Sequence, residues 1–158
     1  MPTPVYMSID DNAVKGSVEI GGREGTVEVL EVEHDLHIPT DIHSGALTGV
    51  RQHGAFKVRA AFDAATPYLY KAICEGETYD TVKFSFYQID ATGTEVEYFT
   101  ILLERVKVAD INVDVPNVKS AQFEKLPHML EYNFVYSRIT WTFTEGTLEH
   151  TDDWIAAR

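Results

Sequence analysis

Cysteine is nearly absent from this chain of 158 residues. Cys74 is the only one, so no disulfide can form within the chain. It falls between Ile73 and Glu75 in a segment with helical periodicity, and no neighbour in the sequence would activate its thiol. We therefore expect a thiol that packs as a small apolar group rather than a nucleophile.

Long apolar runs are also missing. No segment approaches the roughly 18 apolar residues that a membrane-spanning helix requires. The first four residues, Met-Pro-Thr-Pro, have neither the basic patch nor the apolar stretch of a signal peptide. We therefore predict no membrane insertion, and we expect any export to proceed without a cleaved signal.

Basic residues are scarce, since 13 Lys and Arg face 25 Asp and Glu and leave a net charge of −12. This balance disfavours nucleic acid as a partner. The charges are also unevenly placed. Residues 1–40 contain eight acids and two bases, whereas residues 51–59 contain three bases (Arg51, Lys57 and Arg59) and no acid.

Catalytic motifs are not found either. The adjacent pairs Asp10-Asp11 and Asp152-Asp153 are typical of turns or helix caps rather than acid–base dyads, because neighbouring side chains diverge. Ser44-Gly45 comes nearest to a nucleophile elbow, but Ile42 occupies the position of its first glycine. No phosphate loop, dinucleotide fingerprint or zinc spacing is present. We predict that the protein is not an enzyme and needs no cofactor.

Four of the six histidines cluster at His34, His37, His43 and His53. A metal site would need three or four converging ligands, and in a strand His34 and His37 would point to opposite faces because their spacing is odd. We therefore interpret these histidines as exposed or hydrogen-bonding side chains and predict no metal.

Alternation of apolar and polar residues dominates the rest of the chain and predicts strands. In the strand predicted at 26–38 the alternation slips by one residue after Val29, which is typical of a β-bulge. The strand predicted from Glu95 has apolar residues on both faces, so we expect it to be covered on both sides. The other predicted strands are 5–9, 53–62, 78–89, 106–115, 126–136, 137–143 and a short one at 17–20, followed by a polar tail.

One short helix is predicted at residues 66–75. Thr66 suits the N-cap, Pro67 the first helical position, and Gly76 the C-terminal stop. With a single helix and no repeated strand–helix units, the pattern predicts a mainly β fold. We expect one domain over residues 1–158, an antiparallel β-barrel with the helix packed beside it and a long extended loop.

That loop comprises residues 39–52. Its glycines, proline, serine and threonines predict neither strand nor helix. Fourteen residues without internal structure are uncommon in a compact domain and often carry function.

Several spaced segments together resemble one family. The most specific reads Ile-Pro-Thr-Asp-x-x-Ser-Gly-x-x-Thr-Gly-x-Arg-x-His from Ile38 to His53 and runs on into Phe56-Lys57. In this order the segments resemble the haemolysin-coregulated protein (Hcp) family of type VI secretion systems, and the resemblance covers the chain from end to end. The other segments are residues 1–9, 67–70, 76–77, 84–87, 136–141 and 152–154.

The resemblance implies six copies in a ring with an open lumen, and rings that stack into a tube. It implies a cytoplasmic protein that is later expelled by a contracting sheath on a baseplate, behind a spike protein, with small effector proteins carried in the lumen. Two departures are the short stretch between Ile9 and Thr26 and a tail at 155–158 with no appended toxin domain, which favours a plain tube subunit. The long loop would join ring to ring through Pro39, Thr40, Asp41, Ser44, Gly45, Thr48, Gly49, Arg51 and His53.

Two alternatives stay open. The acids Glu31, Glu33 and Asp35 would pair with the basic segment 51–59 either across a subunit interface or within one chain, as neighbouring strands. In function, the runner-up is a monomeric β-barrel that binds a small ligand, which would need an apolar cavity.

Overall fold

The structure is a computed structural model that describes residues 3–155. Residues 1–2 and 156–158, which include part of the opening segment and of the tail discussed above, lie outside the described residues. The elements are β1 (Val5–Ile9), β2 (Val27–Glu33), β3 (Leu36–His37), β4 (Gln52–His53), β5 (Phe56–Ala61), α1 (Thr66–Glu75), β6 (Tyr79–Ile89), β7 (Glu95–Asp114), a 3₁₀ turn (Ala121–Phe123), β8 (Met129–Val135), β9 (Arg138–Phe143) and β10 (Leu148–Asp153).

Six strands close into an antiparallel barrel, as predicted. The neighbour order runs β7, β6, β1, β2, β5, β8, and β8 returns to β7. Closure is possible because β7 has 20 residues, about 66 Å at the usual strand rise. Its first half pairs with β9 and its second half with β8, and Arg105 between the two halves has a φ of 53°. β9 and β10 thus extend the sheet beyond the barrel.

Large side chains fill the barrel interior. Phe56, Phe84 and Phe134 are fully buried, with ring centroids 4.5 Å apart for Phe56–Phe84 and 6.4 Å apart for Phe84–Phe134. The helix α1 adds Leu69 and Ala72 to the same core. Strand alternation therefore produces one continuous apolar core, as the periodicity indicates.

The predicted bulge in β2 is confirmed. Its pairing with β5 shifts register between Val29 and Glu31. The predicted strand does not continue to residue 38, because β2 ends at Glu33 and the chain restarts as β3 with a different partner, β4. The strand predicted at 53–62 divides in the same way. β4 and β5 are separate, and Phe62, the last residue of the predicted strand, lies outside β5 and is exposed.

The helix bounds and its C-terminal stop at Gly76, with a φ of 68°, are confirmed. The prediction of Thr66 as N-cap is wrong, because Ala65 occupies that position in a helical conformation. Thr66 Oγ1 instead accepts from the Asp63 backbone N–H at 3.0 Å, and Asp63 Oδ1 accepts from the Ala65 N–H at 2.8 Å. Cys74 is exposed, so the expectation of a packed thiol is also wrong.

Three strand predictions are corrected. Residues 17–20 form no strand, and the strands expected from Glu95 and at 106–115 are one continuous β7. The polar tail contains β10, which pairs with β9 from Leu148 to Asp153. Apolar periodicity missed β10 because five of its six residues are polar and four are exposed, so its backbone pairing leaves no trace in the hydropathy pattern.

Candidate assembly surface

The long loop leaves the barrel as a closed arch. We call residues 39–52 the arch. It starts and ends on a two-stranded ribbon in which Leu36 pairs with His53 and His37 with Gln52. Backbone hydrogen bonds continue across it, from Thr48 N–H to Pro39 O and from Asp41 N–H to Ala46 O, each at 2.8 Å. The arch is therefore a defined structure, although its sequence forms only a single isolated bridge, Thr40 to Leu47.

The tip of the arch, residues 41–45, is shaped by one carboxylate. Asp41 Oδ1 accepts the backbone N–H of His43 at 2.7 Å and of Ser44 at 3.1 Å. These hydrogen bonds hold the pKa of the Asp41 carboxyl below its usual value, His43 contributing the larger share. Gly45 completes the turn with a φ of 72° and donates its N–H to Asp41 O at 2.8 Å.

Apolar side chains project from the arch into solvent. Ile42 is 91% exposed, Leu47 62% and Val50 58%. Exposed apolar residues clustered on one projecting segment are typical of a surface that another protein covers. Sequence reasoning missed these three residues, although the signal was available as isolated aliphatic residues in an otherwise polar loop.

The base of the arch is attached to the last strand. Arg51 Nε donates to Asp152 Oδ2 at 2.5 Å, and Arg51 Nη2 donates to the Asp153 backbone oxygen at 3.1 Å. His53 is buried, and its Nε2 lies 2.7 Å from the same Asp152 oxygen. The first cause of the lowered pKa of Asp152 is its hydrogen bond with Arg51. The pair Asp152-Asp153, predicted as a turn or cap, therefore lies in β10 and anchors the arch.

Two aromatic residues complete this base. The Tyr136 hydroxyl lies 2.8 Å from His53 Nδ1 and 2.7 Å from His34 Nε2. The indole of Trp154 stacks on the His53 ring, with centroids 5.5 Å apart, and contacts Tyr136 edge-on at 4.8 Å. We call His34, Arg51, His53, Tyr136 and Asp152 the anchor network.

The structure thus divides the nine residues predicted for ring stacking. Arg51 and His53 contact other residues of the same chain, Arg51 through Asp152 and Asp153 and His53 through Tyr136 and Asp152. Arg51 takes part in a further interaction as well. The other seven lie, like Arg51, within the arch, where Gly49 is beside Pro39. They are Pro39, Thr40, Asp41, Ser44, Gly45, Thr48 and Gly49, all exposed except the half-buried Pro39. A stacking role for any of the nine stays a prediction.

The other two histidines of the predicted cluster lie apart from the anchor network. His43 is at the exposed tip, and His37 Nδ1 is 3.2 Å from Asp35 Oδ2 on the surface. Over residues 3–155, no three metal-ligating side chains come together. Within the same residues, no helix has the length and apolarity needed to cross a bilayer.

The acidic and basic segments pair within the chain. β2 and β5 are neighbours, with Glu31 opposite Arg59 and Glu33 opposite Lys57. Arg59 forms ion pairs with Asp114 at 2.6 Å, Glu131 at 2.8 Å and Glu31 at 3.4 Å. The intrachain alternative is therefore the one this structure contains.

A second apolar surface follows the far end of β7. Ile101 and Leu103 in its first half are buried, whereas Val96, Tyr98 and Leu102 on its opposite face are only half-buried. Val113 at the end of β7, and Val115 and Val118 just after it, are each about half or more exposed. The barrel wall therefore offers apolar area that the described chain itself does not cover.

The protein is thus a small closed β-barrel from which an anchored arch projects. Apolar side chains are exposed both on the arch and on the barrel wall. Residues 6–143 match the family model described as "Type VI secretion system effector, Hcp". The chain belongs to the Hcp family.

Relatives match the chain over nearly its whole length. It is 32% identical to the Major exported protein of Pseudomonas aeruginosa, over 98% of this chain and 96% of that protein. Among solved structures, a variant of the Hcp1 protein from E. coli EAEC 042 is 39% identical with a TM-score of 0.83, covering 98% of this chain and 99% of the other. The secreted protein Hcp3 of Pseudomonas aeruginosa is 27% identical with a TM-score of 0.79, covering 98% and 100%.

Proposed function

We propose that this protein is a structural tube subunit of a type VI secretion system. Six copies form a ring, and rings stack into the inner tube that the machine expels. Family membership supports this function. The observation that carries it is the arch, which is fixed at its base and presents Ile42, Leu47 and Val50 to solvent. A rigid projection with an apolar end is suited to joining two copies, since little ordering entropy is lost on contact.

One surface makes the contacts within a ring, and another makes the contacts between rings. Val113 in the barrel wall, with Val115 and Val118 in the segment that follows β7, supplies apolar area for contacts between neighbours in a ring. The arch reaches out of the barrel for contacts between rings. Because identical copies associate, each surface must be complementary to another patch of the same chain. One barrel domain over residues 1–158 is sufficient for both.

The partners and location follow from the same proposal. The tube sits in the cytoplasm inside a contractile sheath on a baseplate, carries a spike protein at its tip and small effectors in its lumen, and leaves the cell on firing. A relative is named Major exported protein, which supports export. No enzymatic step is part of this function. The runner-up, a ligand-binding monomeric barrel, needs an apolar cavity, and inside the barrel the rings of Phe56, Phe84 and Phe134 occupy that space.

Negative-stain electron microscopy of arch variants tests the proposal. We expect the wild type to show rings and stacked rings, and Ile42→Asp to show rings that do not stack, because a carboxylate at the contact must be desolvated. Ile20→Asp is the matched control, an exposed isoleucine on a different loop, and should stack like the wild type. Stacking that Ile42→Asp leaves intact, or that Ile20→Asp abolishes equally, would show that the arch does not join rings.

A further inference from the structure

A chain of three hydrogen bonds runs through the anchor network and links four distant parts of the sequence. His34 Nε2 lies 2.7 Å from the Tyr136 hydroxyl, the hydroxyl lies 2.8 Å from His53 Nδ1, and His53 Nε2 lies 2.7 Å from Asp152 Oδ2. His34 follows β2, His53 is in β4, Tyr136 follows β8, and Asp152 is in β10. The arch base is therefore attached to the segments after β2 and β8 through the Tyr136 hydroxyl, and to β10 through Asp152.

The hydrogens in this chain can be counted. A hydroxyl has one hydrogen to donate, and a neutral imidazole has one donor and one acceptor nitrogen. With both rings neutral, His34 Nε2–H donates to Tyr136, the Tyr136 hydroxyl donates to His53 Nδ1, and His53 Nε2–H donates to Asp152. Every bond is then satisfied.

One added proton leaves the chain intact. If His53 is the imidazolium, its Nδ1–H donates to the Tyr136 oxygen. The hydroxyl then turns to donate to His34 Nε2, and the neutral His34 ring has its hydrogen on Nδ1 instead. If His34 is the imidazolium, its Nε2–H donates as before. In both cases three hydrogens serve three bonds.

A second proton does not fit. With both rings charged, Nε2–H of His34 and Nδ1–H of His53 both point at the tyrosine oxygen, and the hydroxyl hydrogen has no acceptor in the chain. Two positive charges also lie on either side of one hydroxyl, with ring centroids 5.9 Å and 5.6 Å from that of Tyr136. Like charges that share one partner in a partly buried site repel each other, and the charge of His53 is one cause of the lowered pKa of His34.

We propose that His34 and His53 form a proton-operated switch that holds the base of the arch when they share at most one proton and releases it from Tyr136 when both are protonated. The switch acts on the orientation of the arch. It does not require that the arch stack rings, so it stands whether or not the proposed function holds.

The charged groups around His34 and His53 determine the pH range in which the two rings are both protonated. Around His34 lie Asp35, Glu33 and Lys57, and around His53 lie Asp152 and Arg51. Arg105 and Lys107 line the cavity beside Tyr136 and Trp154, and Arg138 binds Asp153. Burial lowers the pKa of His34, the charge of His53 lowers it further, and Asp35 opposes both.

The sign of the pH effect follows from these contacts. The pKa of His34 in the folded state lies below its ordinary value of 6.5, so the folded protein binds this proton more weakly than the unfolded chain does. The stabilisation that neutral His34 gives to the folded state is therefore lost as pH falls below 6.5. The Arg51–Asp152 pair persists there, because the pKa of Asp152 is also lowered. The base therefore loosens in the interval between the ordinary histidine range and the carboxyl range, while the barrel stays folded.

Hydrogen exchange of the full chain measured by mass spectrometry tests the switch. After correction for intrinsic rates, we expect protection of the 36–53 segment to fall about tenfold from about pH 7.5 to about pH 5, while the strands β1 and β6 stay protected. His34→Gln places an amide nitrogen near the Nε2 position without a titrating group and should abolish this pH response. His43→Gln, the matched control at the exposed tip, should keep the wild-type profile.

Three results would overturn the switch: constant protection in the wild type, an unchanged pH response in His34→Gln, or equal losses in the arch and the barrel strands. If His34→Gln does not fold, NMR of the imidazole nitrogens in the wild type decides. Two separated protonation steps, with the loss of arch protection following the second, support the switch. A single step shared by both rings, or protection lost with the first proton, contradicts it.

Discussion

The tip and the base of the arch are held by different kinds of interaction. The tip is shaped by local bonds, since Asp41 captures the N–H groups of His43 and Ser44 within three residues. The base is fixed by partners from the other end of the chain, such as Asp152 for Arg51. Local bonds set the shape of a loop, whereas distant ones set its direction relative to the barrel. An arch with both has a fixed shape and a fixed direction, which a binding projection needs.

A cavity in the barrel core should lower the free energy of unfolding more than any change in the arch. It should affect the tip and the base of the arch equally. Phe84→Ala is expected to lower the free energy of unfolding by about 3–5 kcal/mol, because the residue is fully buried between Phe56 and Phe134. Urea denaturation measures this loss. Phe62→Ala, at a 46% exposed site, is the control and should lose less than about 1.5 kcal/mol. Similar losses in both variants would contradict the described core.

Breaking the base should have an intermediate effect. Asp152→Ala removes the acceptor shared by Arg51 and the buried His53. We expect a loss of about 1–3 kcal/mol in the free energy of unfolding, because a buried donor is left without its partner. Limited proteolysis should also cut the arch faster.

The control for the base is Asp80→Ala, a change at an exposed carboxylate in β6, expected within about 0.5 kcal/mol of wild type. If Asp152→Ala behaves like this control in both unfolding and proteolysis, the arch does not depend on the anchor network.

Straining the tip should have the smallest effect on global stability. Gly45→Ala forces a side chain into a φ of 72°, which is expected to destabilise by about 1 kcal/mol. Hydrogen exchange should locate the change in the arch. Gly21→Ala, at a position with nothing within 4 Å of an added Cβ, is the control and should leave arch protection unchanged. Loss of protection at β4 and β10 in Gly45→Ala would show that tip and base are not separate.

The parts of the fold that bury apolar area were predictable. Alternation identified the barrel strands, the phase slip after Val29 identified the bulge, and Gly76 identified the helix end. β10 was not predictable from hydropathy, because its residues are polar and its pairing uses the backbone. The N-cap residue was misassigned because Thr66 accepts from the Asp63 N–H and Asp63 from the Ala65 N–H, an arrangement that the local sequence does not reveal.

The candidate site divides in the same way. The position and length of the arch follow from its glycines and proline, and a close reading of Ile42, Leu47 and Val50 would have revealed an apolar surface. The anchor network does not follow, because His53 and Asp152 are 99 residues apart in sequence. A pairing across that distance is decided by the closure of the whole barrel, and a single sequence contains no local signal for it.

Native mass spectrometry of the purified wild type tests the central claim, self-assembly into rings, most directly. We expect a main species at about six times the chain mass of 17.8 kDa at tens of micromolar. A protein that stays at the mass of one chain at that concentration would contradict it.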